Sequence, residues 1–79
     1  MNARKIERLI RIAKRFQELR EDGMLSIDER GVLMMPEVFK ETFAEFDVKD
    51  SPGTYYDSKI ITIRDGVVFY SFANKEELK

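Results

Sequence analysis

Apolar residues recur at Ile6, Leu9, Ile10, Ile12, Ala13, Phe16 and Leu19. At about 100° per residue they occupy roughly half of a helical wheel. This period predicts an amphipathic helix over about residues 2–21, closed by Asp22-Gly23, where glycine can take the left-handed terminal conformation. Two short apolar runs follow, Met24-Leu25-Ser26-Ile27 and Val32-Leu33-Met34-Met35, on either side of Asp28-Glu29-Arg30-Gly31. An acidic opening and a glycine close suit a tight hairpin over about residues 24–35, with Gly31 at positive φ. A continuous loop into the next helix is the alternative. Pro36 stands where proline is favoured, in the first turn of a second helix over about residues 36–46. Val38, Phe39, Thr42, Phe43 and Phe46 fall within roughly 140° on that wheel, with Glu37, Glu41 and Glu45 on the other side. Residues 47–54 read as a loop, with Ser51-Pro52-Gly53 marking a turn.

The β signal is clearest in the last third. Residues 58–64 and 67–73 are rich in β-branched and aromatic side chains and are separated by Asp65-Gly66, a strong hairpin signature. A two-residue loop pairs Ile63 with Val68, Ile61 with Tyr70 and Lys59 with Phe72, a face expected to meet the helices. Ile60, Thr62, Arg64, Val67, Phe69, Ser71 and Ala73 then point outward. Asn74, followed three residues later by Glu77, suggests the N-cap of a short C-terminal turn over 74–79. The expected fold is a single α+β domain of α-β-β-α-β-β order. Two hairpins form a four-stranded antiparallel sheet, with both helices on one face.

A chain of 79 residues is near the lower limit for one self-sufficient core, and 43% apolar with 37% charged residues suits a globular protein. With no histidine or cysteine, the usual general base, thiol nucleophile and transition-metal ligands are missing, and disulfides are excluded. No phosphate-binding glycine loop or nucleophile elbow occurs, so a non-enzymatic protein without cofactor or metal is expected. No apolar run is long enough to span a bilayer and no secretory leader is apparent, so a cytoplasmic location without a membrane partner is expected.

The net charge of −1 hides segregation. Residues 1–23 carry seven Lys/Arg against four Asp/Glu, residues 24–57 three against eight, and residues 58–79 four against three. Arg4, Arg8, Arg11 and Arg15 share one narrow stripe of the first helix, at i, i+4, i+7 and i+11. Rigidly held guanidiniums there suit phosphates or an acidic protein surface, with Glu7 and Glu18 partly neutralising them. The alternative is an ordinary solvated face. The acidic series Glu37, Glu41, Glu45, Asp47, Asp50 and Asp57 either keeps the chain soluble, imitates a phosphate backbone or meets the arginine stripe of a second copy. On one helix face its oxygens do not converge on a metal. The outward sheet face offers Thr62, Arg64 and Phe69 as a further interaction surface, with Tyr55 and Tyr56 beside it.

The segments GVLMMPEVFKETFAEF and KIITIRDGVVFYSF resemble small proteins encoded by phages and prophages of Gram-positive bacteria. In those, a helix bearing Phe-x-x-x-Phe precedes a hairpin with a DGV turn. The matching positions are Phe39, Phe43, Asp65, Gly66, Val67 and Phe69, over roughly residues 31–73, and they are core and turn residues. The resemblance implies an accessory role on a mobile element through binding of a host protein, as anti-CRISPR and anti-restriction proteins do. The function expected is therefore protein–protein interaction with a host protein or with a second copy as a homodimer. The alternative is nucleic-acid binding by the basic face of the first helix.

Overall fold

The computed structural model describes residues 1–78. Helix α1 (Ala3–Glu21) starts where the Asn2 side chain accepts a hydrogen bond from the Lys5 backbone N–H at 3.0 Å, and it stops at Asp22. Strands β1 (Met24–Asp28) and β2 (Gly31–Met34) form the expected hairpin. Its turn is held by the Asp28 carboxylate, which accepts from the Arg30 backbone N–H at 2.8 Å, while Gly31 takes φ 128°. Helix α2 (Pro36–Thr42) follows, then β3 (Asp47–Asp50), β4 (Ser58–Arg64), β5 (Val67–Ala73) and a 3-10 turn, Lys75–Leu78. Asp65 and Gly66 have φ 51° and 77°, the two positive values a tight two-residue hairpin requires.

The protein is α+β, with two helices and a five-stranded mixed sheet of order β1-β2-β5-β4-β3. The expected four-stranded antiparallel sheet is corrected in two respects. Residues 47–50 pair with β4 as an edge strand, Val48 opposite Ile60 and Lys49 opposite Lys59. Three of its four residues are charged and all four are exposed, so no hydrophobic pattern marks it, and its charges protect an open edge. The two hairpins also meet through a parallel pair, with Val32 opposite Phe69 and Leu33 opposite Tyr70. The β4–β5 register is the one read from the two-residue loop, including Ile63–Val68, Ile61–Tyr70 and Lys59–Phe72.

Helix α2 covers the other face of that hairpin from the one expected. Phe39, Phe43, Ile60 and Ala73 form the buried centre, with Met34, Phe46, Phe69 and Leu78 packed against it. The reason is steric. Ser58 lies opposite Ala73 and Ile60 opposite Ser71, and these small side chains leave a shallow bed for the phenylalanine rings. Phe39 lies 4.9 Å from Phe43 and 5.3 Å from Phe46, ring centre to ring centre, at tilted and edge-on angles. Helix α2 ends at Thr42 rather than at residue 46. The Thr42 hydroxyl bonds back to the Val38 carbonyl at 2.7 Å and Phe43 turns extended, which brings Phe46 back over Phe39. The last turn forms as expected, but the Asn74 side chain does not cap it. Its amide joins the backbone of Tyr55 and Asp57, while the Asp57 carboxylate receives the Lys75 N–H at 3.0 Å. Lys79, the end of that expected turn, lies outside the described residues.

The largest departure is α1. It does not lie on the sheet, and none of its residues is buried. Ile6, Leu9, Ile10 and Leu19 are each about half exposed and Ile12 is 62% exposed; only Phe16 is partly covered. The helix projects from the sheet domain, so that the molecule measures 50 × 26 × 21 Å with a radius of gyration of 15.0 Å. A compact chain of this length has about 12 Å.

Candidate interaction surface

Arg4, Arg8, Arg11 and Arg15 stand where the sequence puts them, on one exposed side of α1, and none forms an ion pair among the described residues. Beside them the apolar side of the same helix is equally open. Ile12 joins the two, lining a shallow depression with Arg8, Arg11 and Arg15. Thr62, Arg64 and Phe69 are not gathered with them. They lie on the α2 side of the sheet, where Phe69 packs on Phe43 at 5.2 Å between ring centres. The Arg64 guanidinium covers the Phe43 ring at 5.5 Å. The expected outer surface on these residues is therefore part of the covered face, and only Arg64 and Val67 remain well exposed there.

The sheet face left without a helix carries Leu33 of β2, Ile61 and Ile63 of β4, and Val68, Tyr70 and Phe72 of β5. Its own long side chains shield much of it. Lys59 lies over the Tyr70 ring at 4.6 Å, Phe72 meets that ring edge-on, and Tyr56 stacks on Phe72 at 6.4 Å. Tyr70 is in consequence 4% exposed, whereas Ile63 at the open end is 63% exposed.

A second apolar surface lies on the α2 side. Helix α2 covers β4 and β5 but not β1 and β2, and next to it runs an open groove of about 310 Å³. Met24, Ile27, Val32 and Met34 form its floor, Val38 and Thr42 its α2 wall, and Leu19 closes one end. This groove was not read from the sequence. The signal was present in the hairpin pairs Met24–Met34 and Ile27–Val32, which set apolar side chains side by side on one face.

The ionisable groups show local pairing. The Asp28 carboxyl is held below its ordinary value by the Arg30 side chain, and that of Asp57 by the Ser58 hydroxyl and the Lys75 N–H. Lys75 is raised by its ion pair with Asp50. Among the described residues no three or more carboxylates gather where a metal ion would sit, and no buried side-chain polar atom lacks a hydrogen-bond partner. No helix is long and apolar enough to cross a membrane. No protein-family model, curated protein or solved structure matches this chain.

Proposed function

We propose that this is a small non-enzymatic accessory protein that works by docking on another protein chain, with α1 as the docking element. One observation carries the reading: a 19-residue amphipathic helix with no buried residue, its apolar side and its arginine stripe both turned to water. Half-exposed Ile6, Leu9, Ile10, Ile12 and Leu19 contribute little to the folding of a single chain. Each would gain roughly 1 kcal/mol or more on burial at an interface. The resemblance of residues 31–73 to phage and prophage proteins supports an origin on a mobile element and a host protein as one target. Affinity capture from a bacterial lysate tests the reading, run beside a variant with Leu9→Glu and Ile12→Glu. A specific companion lost with the variant is expected; the same companions captured by both proteins would overturn it.

The unpaired Arg4, Arg8, Arg11 and Arg15 favour a second reading, in which the stripe binds nucleic acid. Binding to duplex DNA or RNA that weakens steeply with salt, and is abolished when the four arginines become glutamine, is its expected signature. Binding indifferent to both changes excludes it.

A further inference from the structure

The geometry points to a second copy of this chain as an occupant of α1. The helix of each copy lies in the groove over β1 and β2 of the other, beside α2. This inference rests on the docking reading above and names its partner. The surface itself indicates a missing body. The chain exposes 6518 Å², whereas a compact monomer of its 9.3 kDa mass exposes about 5,000 Å². The excess, about 1,500 Å², is more than the roughly 800 Å² each partner contributes to a standard interface. The groove has the composition to receive the helix, with Ile27 exposed, Val32, Met34 and Val38 half-buried, and Met24 buried at its base beside Phe69.

Charge then selects the occupant. Val38 and Thr42 face the groove, so Glu37 and Glu41, the next residues around α2, stand along its outer wall, exposed and without an ion pair among the described residues. The arginine stripe borders the apolar side of α1 at Ile12 and Leu19. A helix seated in the groove by that apolar side sets its arginines toward α2. Arg11 and Arg15 share the four-residue spacing of Glu37 and Glu41, about 6 Å along either helix. The chain thus carries both halves of one complementary contact. They do not meet within a single copy: of α1 only Leu19, near its C-terminal end, reaches its own groove, and neither Arg11 nor Arg15 pairs with Glu37 or Glu41. Exchange between two copies satisfies both grooves and both helices about one two-fold axis, and it closes.

Sedimentation of the pure full chain tests this, with circular dichroism to confirm that each variant keeps its sheet. The wild type is expected to sediment at twice its 9.3 kDa mass. Leu9→Glu with Ile12→Glu should run as a monomer, since both side chains are exposed in the single chain and their change leaves its fold intact. Arg11→Glu with Arg15→Glu, and separately Glu37→Arg with Glu41→Arg, should each weaken the dimer about tenfold or more. The four changes together should restore most of it. A wild type that stays monomeric at about 100 μM overturns the proposal. So does a dimer unaffected by Leu9→Glu and Ile12→Glu, or a charge reversal that the opposite reversal does not repair. A photo-crosslinker at position 12 separates this failure from that of the docking reading. In a monomeric wild type, crosslinks from α1 to a different protein remove the second copy alone; no crosslink from α1 in the lysate removes both.

Discussion

Gly23 lies directly against Val38, so that a Cβ added to the glycine would overlap the valine isopropyl group. Gly23 is the joint between α1 and β1, it takes φ 111°, and its carbonyl receives the Met35 N–H at 2.8 Å. The joint is thus clamped to the start of α2, which fixes the angle at which α1 leaves the domain. Gly23→Ala meets a steric overlap and a left-handed backbone together, and about 2 kcal/mol or more of stability should be lost. Chemical denaturation measures it. A loss under about 0.5 kcal/mol would show that the joint is not clamped.

Ile60 and Ile63 share one strand and point to opposite faces of the sheet. Ile60 is fully buried beneath α2, while Ile63 is 63% exposed. Ile60→Ala should cost about 2–5 kcal/mol and Ile63→Ala under about 1 kcal/mol. Equal costs, or the reverse order, would put α2 on the other face.

That pair of residues also shows how far the sequence could be read. Periodicity found both helices and both hairpins, and the Asp65-Gly66 turn set the β4–β5 register residue by residue. Pattern did not reveal which face of β4 and β5 is covered, because both faces are apolar. Bulk pointed to Ile61, Tyr70 and Phe72, whereas the phenylalanines of α2 need the low ground left by Ser58, Ser71 and Ala73. Nor did α1 declare its isolation. An apolar stripe reads the same whether it meets its own sheet or another chain, and only the placement of the helix distinguishes them. Among the candidate site residues the arginine stripe was legible as an exposed surface. Thr62 and Phe69 went astray with the face assignment.

Asp57 ties the loop before β4 to the C-terminal turn. Its carboxylate accepts from the Ser58 hydroxyl at 2.8 Å and from the Lys75 backbone N–H at 3.0 Å, and these bonds hold its pKa below the ordinary 3.8. A carboxyl whose pKa is depressed on folding stabilises the fold above its unfolded value, and that contribution disappears as pH falls through the folded one. The wild type should therefore lose melting temperature below about pH 4 more steeply than Asp57→Asn, whose amide does not titrate. Asp28, lowered by Arg30, titrates in the same window and leaves the variant a residual slope. Identical acid profiles for the two proteins would show that the Asp57 bonds do not act in solution.

Ser71 holds the two halves of the sheet together. It is 1% exposed, and its hydroxyl donates to the Met34 carbonyl at 2.6 Å, beyond the parallel pairs Val32–Phe69 and Leu33–Tyr70. Met34 ends β2, so this side-chain bond reaches the last carbonyl of the strand that joins the β1–β2 hairpin to the rest. Ser71→Ala removes the donor and costs about 1–2 kcal/mol, roughly 4–15 °C in melting temperature for a chain of this size. The loss should be uneven. Amide exchange in β1 and β2 should quicken more than in β4 and β5, because the antiparallel β4–β5 hairpin has seven residue pairs of its own. Uniform quickening across all five strands would mean that the sheet opens as one body and that Ser71 is not the tie between its halves.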